Sequence, residues 1–514
     1  MASPSDQELV FSFLGNTARH PGVRRIDTHA ASVFLIGDRA LKIKRAVRLP
    51  FLDYSTLDRR KAACVKEMEI NHPFAPDIYL RVVAITKAPD GSFDVGGSGT
   101  PVEYAVEMRR FDDSQTLDHL SRRQQLDVGL GERLAETIAA SHAVAVRSSS
   151  NLWTESIPIW IDAFVASFRT VSRFGETEVE ELRVLCHSAF ARLRPLLEQR
   201  AKDGHVKRCH GDLHLANIVL IDDKPVLFDA IEFDDRIATI DVLYDLAFPL
   251  MDLLHFAQPV AASHLLNRYL STAAPDQTEG LAALPLFMAI RAAIRAQVFV
   301  ARFDRLDAEH SDADRSATIE TAESYFQLAR SLIRPAEPRM IAVGGLSGTG
   351  KSALARALAP LLVPPPGAIV LRSDVLRKQL SGVKETERLP AEAYTPESSA
   401  RVYRELTTRA SRVLSQGFTV IIDAVFARSD ERQESHDLAK RLKVPFAGLF
   451  LVADLRSRQE RIHHRVADAS DATVGVAEDQ EHYDIGGLDW LQVDASGTAE
   501  TTLDRSLSLL RASA

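Results

Sequence analysis

The eight residues GLSGTGKS, Gly345–Ser352, leave a chain few choices. They follow the apolar run RMIAVGG and precede a segment with helical spacing, so the loop joins a strand to a helix. The stretch fits G-x-x-x-x-G-K-[ST]. In such a loop the glycines let backbone N–H groups wrap phosphates, and the helix N-terminus adds positive potential. Gly345, Leu346, Ser347, Gly348, Thr349, Gly350, Lys351 and Ser352 are therefore the expected nucleotide contacts, with Lys351 on the terminal phosphates and Ser352 on Mg²⁺. A glycine turn that ends in Lys-Ser by chance would not need a strand and a helix in register on its two sides.

A chain of 514 residues is too long for one core, so two or three domains are expected. RPAEPR, from Arg334, carries two prolines and breaks a helix. It marks a linker at 334–338 between a domain at 1–333 and another at 339–514. Beyond it, AIVLR, FTVIID and PFAGLFLV are apolar runs separated by helical segments, the rhythm of a parallel sheet. Before it, SVFLIGDRALKIKRAV and IYLRVVAIT read as strands around a helix, STLDRRKAACVKEMEINH, and most of the rest is helical.

A net charge of −8 gives no general basic field, which argues against nucleic acid as a partner. Three cysteines are too few for a disulfide framework and suit a reducing cytosol. The start lacks the pattern of a signal peptide. The longest apolar stretch, LAALPLFMAIRAAIRAQVFV, is interrupted by Arg291, Arg295 and Gln297, so a soluble cytoplasmic protein with no membrane span is expected.

The residues after the glycine loop refine its chemistry. In AIVLRSDVLRK, Asp374 and Arg377 fall just past a strand, the edge where open α/β sheets bind ligands. Asp374 can accept a substrate hydroxyl proton and Arg377 can position the substrate, while a plain helix cap is the other reading of Asp374. Asp423 ends the strand FTVIID, where an acid supports Mg²⁺ or its water. DLRSRQERIHHRVADASDA supplies Arg456, Arg458, Arg461 and Arg465. Of these, Arg461 and Arg465 are the expected stabilisers of phosphoryl charge on a mobile lid, against a solvated helix face as the alternative. These motifs resemble the small P-loop kinases that include gluconate kinase, chloramphenicol phosphotransferase, zeta toxins and polynucleotide 5′-kinase. The resemblance implies phosphoryl transfer from a nucleoside triphosphate to a hydroxyl.

In the first half, HGDLHLAN (His210–Asn217) precedes a predicted hairpin, IVLIDDKPVLFDAIEF. Asp212 and Asn217 have the base-to-metal-ligand separation of the kinase catalytic loop, and Asp229 stands where such enzymes carry the principal Mg²⁺ carboxylate. The pattern resembles the aminoglycoside phosphotransferase family. The whole chain is similar to bacterial proteins called bifunctional aminoglycoside phosphotransferase/ATP-binding protein. By that resemblance Asp212 would be the base, Asn217 and Asp229 metal ligands, and His210 and His214 would shape the loop. Lys42 or Lys44 would contact phosphate, with Lys42 favoured by its alanine-x-lysine spacing, and Glu67, rather than Glu69, would pair with it. YAVEMRRF would be the hinge, with backbone near Glu107 and Met108 meeting adenine.

The implied fold class is an α+β kinase-like bilobal domain followed by an α/β P-loop kinase domain with a parallel sheet. Two departures stand out. THAASVFL replaces a glycine-rich loop, leaving Thr28, Ser32 or backbone N–H groups for the phosphates, and FDAIEF replaces D-F-G. The acidic residues Glu232, Asp234, Asp235, Asp241 and Asp245 either receive a cationic acceptor or support the catalytic loop. Arg291 and Arg295 point instead to an anionic acceptor or to a salt-bridged face. Cys209, His210 and His214 lack a fourth partner at zinc spacing and are set aside. The expected function is an ATP- and Mg²⁺-dependent phosphotransferase acting on a hydroxyl of a small molecule, such as a sugar, metabolite or aminoglycoside-like compound. The alternative is a nucleotide-binding stress or regulatory protein in which one domain is a non-catalytic sensor.

Overall fold

The computed structural model describes residues 4–49, 52–148, 152–273, 275–305, 311–465 and 468–512. The chain packs into two compact units, Met1–Ile157 with Glu198–Asp252, and Pro158–Leu197 with Leu253–Ala514. Residues 334–338 separate a helix ending at Ile333 from a strand starting at Met340. The packing division falls elsewhere, because the helices within 158–197 and 253–333 group with the C-terminal sheet.

The first unit is built on an antiparallel sheet of strands β1 (Arg24–Asp27), β2 (Ala31–Ile36), β3 (Arg39–Lys44), β4 (Tyr79–Lys87), β5 (Phe93–Val95) and β6 (Thr100–Arg109), in the order β1-β2-β3-β6-β4-β5. The single strand-rich run read from Ser32 onward is two strands, folded back at Gly37, whose φ of +56° suits the tight turn. Leu41 and Ile43 of β3 enter a core with Phe34, Val83, Ile85 and Ala105, so the alternate residues Lys42 and Lys44 share the other face. Helix α1 (Leu57–Asn71) begins at Thr56, whose hydroxyl accepts from Arg59 N. Its buried stripe is Arg60, Cys64, Glu67 and Asn71, spaced four, three and four apart, and is mostly polar. The predicted hairpin forms as β7 (Ile218–Ile221) and β8 (Lys224–Leu227), paired Ile218 to Leu227. Asp222 and Asp223 turn it with φ of +49° and +58°, the left-handed pair that two-residue hairpins favour. Helix α2 (Val242–His255) follows.

In the second unit, β9 (Met340–Gly345), β10 (Ile369–Arg372), β11 (Val420–Asp423), β12 (Phe446–Val452) and β13 (Leu491–Asp494) form a parallel sheet in the order β10-β11-β9-β12-β13. The first four are the predicted runs; LQVD, the fifth, is too short and polar to stand out. The central strand β9 is buried along its whole length, and Ile341 and Val343 pack against Leu354, Leu358, Ile421 and Leu449. That packing fixes helix α3 (Lys351–Leu358) behind the glycine loop. Helix α4 (Ser373–Leu380) leaves the end of β10, and helix α5 (Leu455–His463) follows β12. One stretch, Gln277–Phe303, is long and apolar enough to cross a membrane by length and composition, but 67% of its most apolar window is buried within the protein. Arg291 is buried in it and Arg295 lies over the rings of Phe299 and Tyr325.

Candidate active sites

In the first unit, β3, α1 and the segment after β8 bring four of the expected residues together. Lys42 Nζ lies 2.7 Å from Glu67 Oε1 and 2.6 Å from Asp229 Oδ1. Lys44 Nζ lies 2.7 Å from Glu67 Oε2 and pairs on its other side with Glu232. Glu67 therefore joins both lysines, whereas Glu69 is exposed. Lys42 alone, of the two, reaches Asp229. Burial by itself would lower the Lys42 pKa, but Asp229 and then Glu67 outweigh it and hold the ammonium well above the usual lysine value. Burial would likewise raise Glu67, yet Lys42 and Lys44 draw its pKa down to about 2.

Asp229 adopts a φ of +61°, and neighbours hold that backbone in place. Its N–H donates to Tyr79 Oη at 3.0 Å, and Asn71 clamps the next residue by accepting from Ala230 N at 2.6 Å and donating to Ala230 O at 3.1 Å. The catalytic-loop candidates are tied from below. Asp245 on α2 accepts from His210 N at 3.3 Å and Gly211 N at 2.9 Å, and Asp252 accepts from Leu215 N at 3.0 Å. Asn217 Nδ2 donates to Asp212 O at 2.9 Å and lies 3.3 Å from Asp212 Oδ2, while His214 Nε2 is 3.5 Å from the same oxygen. His210 Nε2 meets Phe228 O at 2.9 Å, and burial lowers the His210 pKa. The loop and the Asp229 segment are thus pinned to each other.

Two expectations change here. Glu107 and Met108 lie inside β6, which pairs with β3 on one side and β4 on the other. Their backbone groups belong to the sheet, and the Glu107 carboxylate is held by Arg39 at 2.9 Å and Arg81 at 2.6 Å. The adenine-contact assignment to Glu107 and Met108 is therefore corrected: the chain leaves the sheet only after Arg109. The Thr28 hydroxyl is bonded to Ala31 and that of Ser32 to Asp27, so both serve the turn itself. The acidic run is also engaged internally. Glu232 meets Lys44, Asp234 caps the helix Asp235–Ala238, Asp235 meets Arg208, and Asp241 meets Arg200 at 2.7 Å. His142, Cys209 and Asp245 have ligand atoms within 4.8 Å of one another, but the Asp245 oxygens already hold the loop backbone.

In the second unit, the glycine loop, α4 and the end of β11 line a cleft of about 1490 Å³. Gly348 has a φ of +85°, and a Cβ there would stand 2.6 Å from Arg458 O, so the loop can pass only as glycine. Lys351 Nζ donates to Leu346 O at 3.1 Å, curling back over the loop. Burial lowers its pKa against the pull of Asp423 and Asp374, and Arg465 and Arg458 add to the lowering. Ser352 Oγ donates to Asp423 Oδ2 at 2.5 Å. A hydroxyl and a carboxylate in contact are oxygen donors of the kind a hard cation takes, so the pair fits Mg²⁺.

Asp374 sits in the first turn of α4 but is not its cap, a position held by Arg372. Burial and the nearby Asp423 raise its pKa. Arg377, one turn on, is buried; it donates to Ala393 O at 2.6 Å and lies under the Tyr394 ring, 4.9 Å from its centroid. Arg461 departs from its expected place on a mobile lid. It is on α5, and its guanidinium donates to Thr349 O at 3.3 Å and to Ala495 O and Gly497 O, each at 2.7 Å. The helix starts directly off β12 and packs on the glycine loop, so Arg461 braces the loop. Arg465, past the helix end, lines the cleft, with one buried guanidinium nitrogen that has no hydrogen-bond partner among the described residues.

Residues 80–281 match the phosphotransferase enzyme family, and residues 340–483 match an AAA domain. The chain carries two kinase-type domains, one that matches the phosphotransferase enzyme family and one of the P-loop type. Similar proteins over nearly the whole length are uncharacterized proteins of Mycobacterium tuberculosis and Mycobacterium bovis, each 28% identical over 505 residues, covering 94% of this chain and 95% of the relative. Solved structures similar to it include a gluconokinase from Sinorhizobium meliloti, with 20% identity, 35% of this chain, 95% of that chain and a TM-score of 0.26. Another is a choline/ethanolamine kinase family protein from Mesorhizobium loti, with 14% identity, 64% of this chain, 98% of that chain and a TM-score of 0.38.

Sequence reasoning missed several residues around both sites. In the phosphotransferase-family half these are Asn71, Tyr79 and Asp252, which hold backbone rather than bear a motif. The polar stripe on α1 was a signal for Asn71, since its spacing puts it on the face of Glu67. In the P-loop half, Arg458 is buried and donates to Ser347 O at 2.9 Å, and Gln480 accepts from Ser347 N at 2.7 Å. The arginine was visible in the lid segment; nothing in the sequence marked the glutamine.

Proposed function

We propose that the protein is an ATP- and Mg²⁺-dependent phosphotransferase in which both halves transfer the γ-phosphoryl group to a hydroxyl of a small-molecule acceptor. The observation that carries this reading is the P-loop cleft, where Lys351, Ser352, Asp374 and Asp423 line one space. Magnesium bound there would neutralise phosphate charge and hold the β- and γ-phosphates. Ser352 and Asp423 would hold it, with Lys351 on the terminal phosphates. The acceptor oxygen attacks phosphorus, the bond to ADP breaks, and the hydroxyl proton passes to Asp374, whose raised pKa suits that task. Arg377 would position the acceptor and Arg465 would meet the transferring group. In the phosphotransferase-family half, Asp212 takes the role of base, Asn217 and Asp229 those of metal ligands, and Lys42 that of phosphate contact. The three free, buried thiols fit a reducing cytoplasm.

The test uses the full chain with labelled ATP and a metabolite extract. Parent protein should label an acceptor, and Lys351→Ala and Asp229→Ala should each remove the part made by its own half. Labelling that persists in full with both substitutions present would reject the reading. Loss of all labelling with Lys351→Ala alone would make the first half a sensor module.

A further inference from the structure

Helix Pro259–Thr272 lies within the residues that match the phosphotransferase family, yet its side chains are bonded to the P-loop sheet. Asn267 Nδ2 donates to Ala368 O at 3.0 Å, and its Oδ1 accepts from Val370 N at 2.7 Å. The amide stands where a further strand would pair, at the open edge of β10. The next residue, Arg268, pairs with Glu385. Glu385 is 4.0 Å from Arg372, the last residue of β10. The Arg372 guanidinium is also 2.9 Å from Asp468 and 3.4 Å from Asp423 Oδ2, the oxygen that accepts from Ser352. A line of alternating charge thus runs from Arg268 through Glu385 and Arg372 to Asp423.

We propose that Arg268 is a positioning residue for the P-loop site, supplied by the phosphotransferase-family half, and sets how firmly Asp423 holds a divalent cation. The proposal rests on the P-loop site binding a magnesium nucleotide. Arg372 stands among four carboxylates, Glu385, Asp423, Asp468 and the nearby Asp374, so its hold on each depends on the charge of the others. Arg268 partly neutralises Glu385 and leaves Arg372 to Asp423 and Asp468. Without Arg268, Glu385 draws Arg372 more strongly, and Asp423 loses cationic company that competes with Mg²⁺. The cation should then bind more tightly. Discrete ion-pair networks of this kind carry coupling between distant groups.

The experiment measures binding of a fluorescent ATP analogue to the full chain while Mg²⁺ is varied, and takes the part of the signal that Lys351→Ala abolishes. Arg268→Ala should lower the Mg²⁺ midpoint by about two- to tenfold, the scale of coupling through such networks, and Arg268→Lys should restore it. Glu385→Gln should raise the midpoint, and Arg268→Ala should have no further effect in that background. A midpoint unchanged by Arg268→Ala, or moved equally with Gln at 385, would overturn the proposal. Should Arg268→Ala melt early, the opposite shift from Glu385→Gln carries the test, and its absence counts against the proposal. A parent protein with no Lys351-dependent binding would instead remove the P-loop reading, and this inference with it.

Discussion

Lys42 and Lys351 are candidates for the same task, yet their surroundings are opposite. Lys42 meets two carboxylates, Glu67 from a neighbouring helix and Asp229 from 187 residues away. Lys351 bends onto a carbonyl five residues before it. The consequence is electrostatic: the carboxylates hold the Lys42 pKa above its usual value, while burial takes that of Lys351 below. A phosphate approaching Lys42 meets an ammonium already neutralised on two sides and must compete for it. One approaching Lys351 relieves a buried charge. Under the proposed function, this contrast predicts tighter nucleotide binding by the P-loop half, and binding by exchange of ion pairs in the phosphotransferase-family half.

The largest effects should come from the two proposed bases. Asp374→Asn and Asp212→Asn should each reduce transfer by its own half about 10²- to 10⁴-fold, the range for loss of a general base, with Mg²⁺-nucleotide affinity kept. Single-turnover transfer and calorimetric binding, run on the same full-length variants, separate the two quantities. If Asp212→Asn leaves every product unchanged, the comparison is between an enzyme and a binding module rather than between two enzymes.

Glu67 should give the next largest effect, and on stability. Its pKa of about 2 in the folded protein lies below the ordinary 4.5, so its stabilisation is present above pH 4.5 and lost as pH falls through about 2. Glu67→Gln leaves two buried lysines without their shared anion and should destabilise the first unit by about 3–5 kcal/mol, the usual cost of breaking a buried pair. Urea unfolding should show this at neutral pH, and the gap between parent and variant should narrow in acid. Lys351-dependent nucleotide binding should survive. A variant as stable as the parent at pH 7 would mean the lysines find other partners.

The same contrast explains what could be read from the sequence. The glycine loop, Asp374 and Asp423 were legible because each lies at the end of a strongly apolar strand, and backbone close at hand supplies most of the geometry. The triad of Lys42, Glu67 and Asp229 is assembled from three distant segments, and resemblance rather than periodicity pointed to it. Glu107 and Met108 were misplaced for a physical reason: VEYAVEMR mixes charged and apolar residues because β6 is central in its sheet, where Arg39 and Arg81 of the two flanking strands both reach Glu107. A polar central strand resembles a linker. Arg461 was misread because a basic helix face and a brace for backbone carbonyls have the same spacing, and only the fold shows that Ala495 and Gly497 are within reach.

The smallest expected effect is on pH dependence, and it tests the contrast directly. kcat/KM reports the ionisations of the free enzyme, so each half can be profiled while the other is silenced, the P-loop half in Asp212→Asn and the first half in Asp374→Asn. In the P-loop half Asp374 must be unprotonated to accept a proton, and burial with Asp423 nearby raises its pKa, so the acid limb should lie above the ordinary 3.8. Lys351 must keep its proton, and its lowered pKa brings the alkaline limb below 10.5. In the first half Lys42 is displaced the other way, so its alkaline limb should lie higher. The two alkaline limbs should therefore separate, with that of the P-loop half at the lower pH. Superimposable limbs would show that bound partners, rather than the built-in difference between an ion-paired and a carbonyl-held lysine, decide when each half loses its charge.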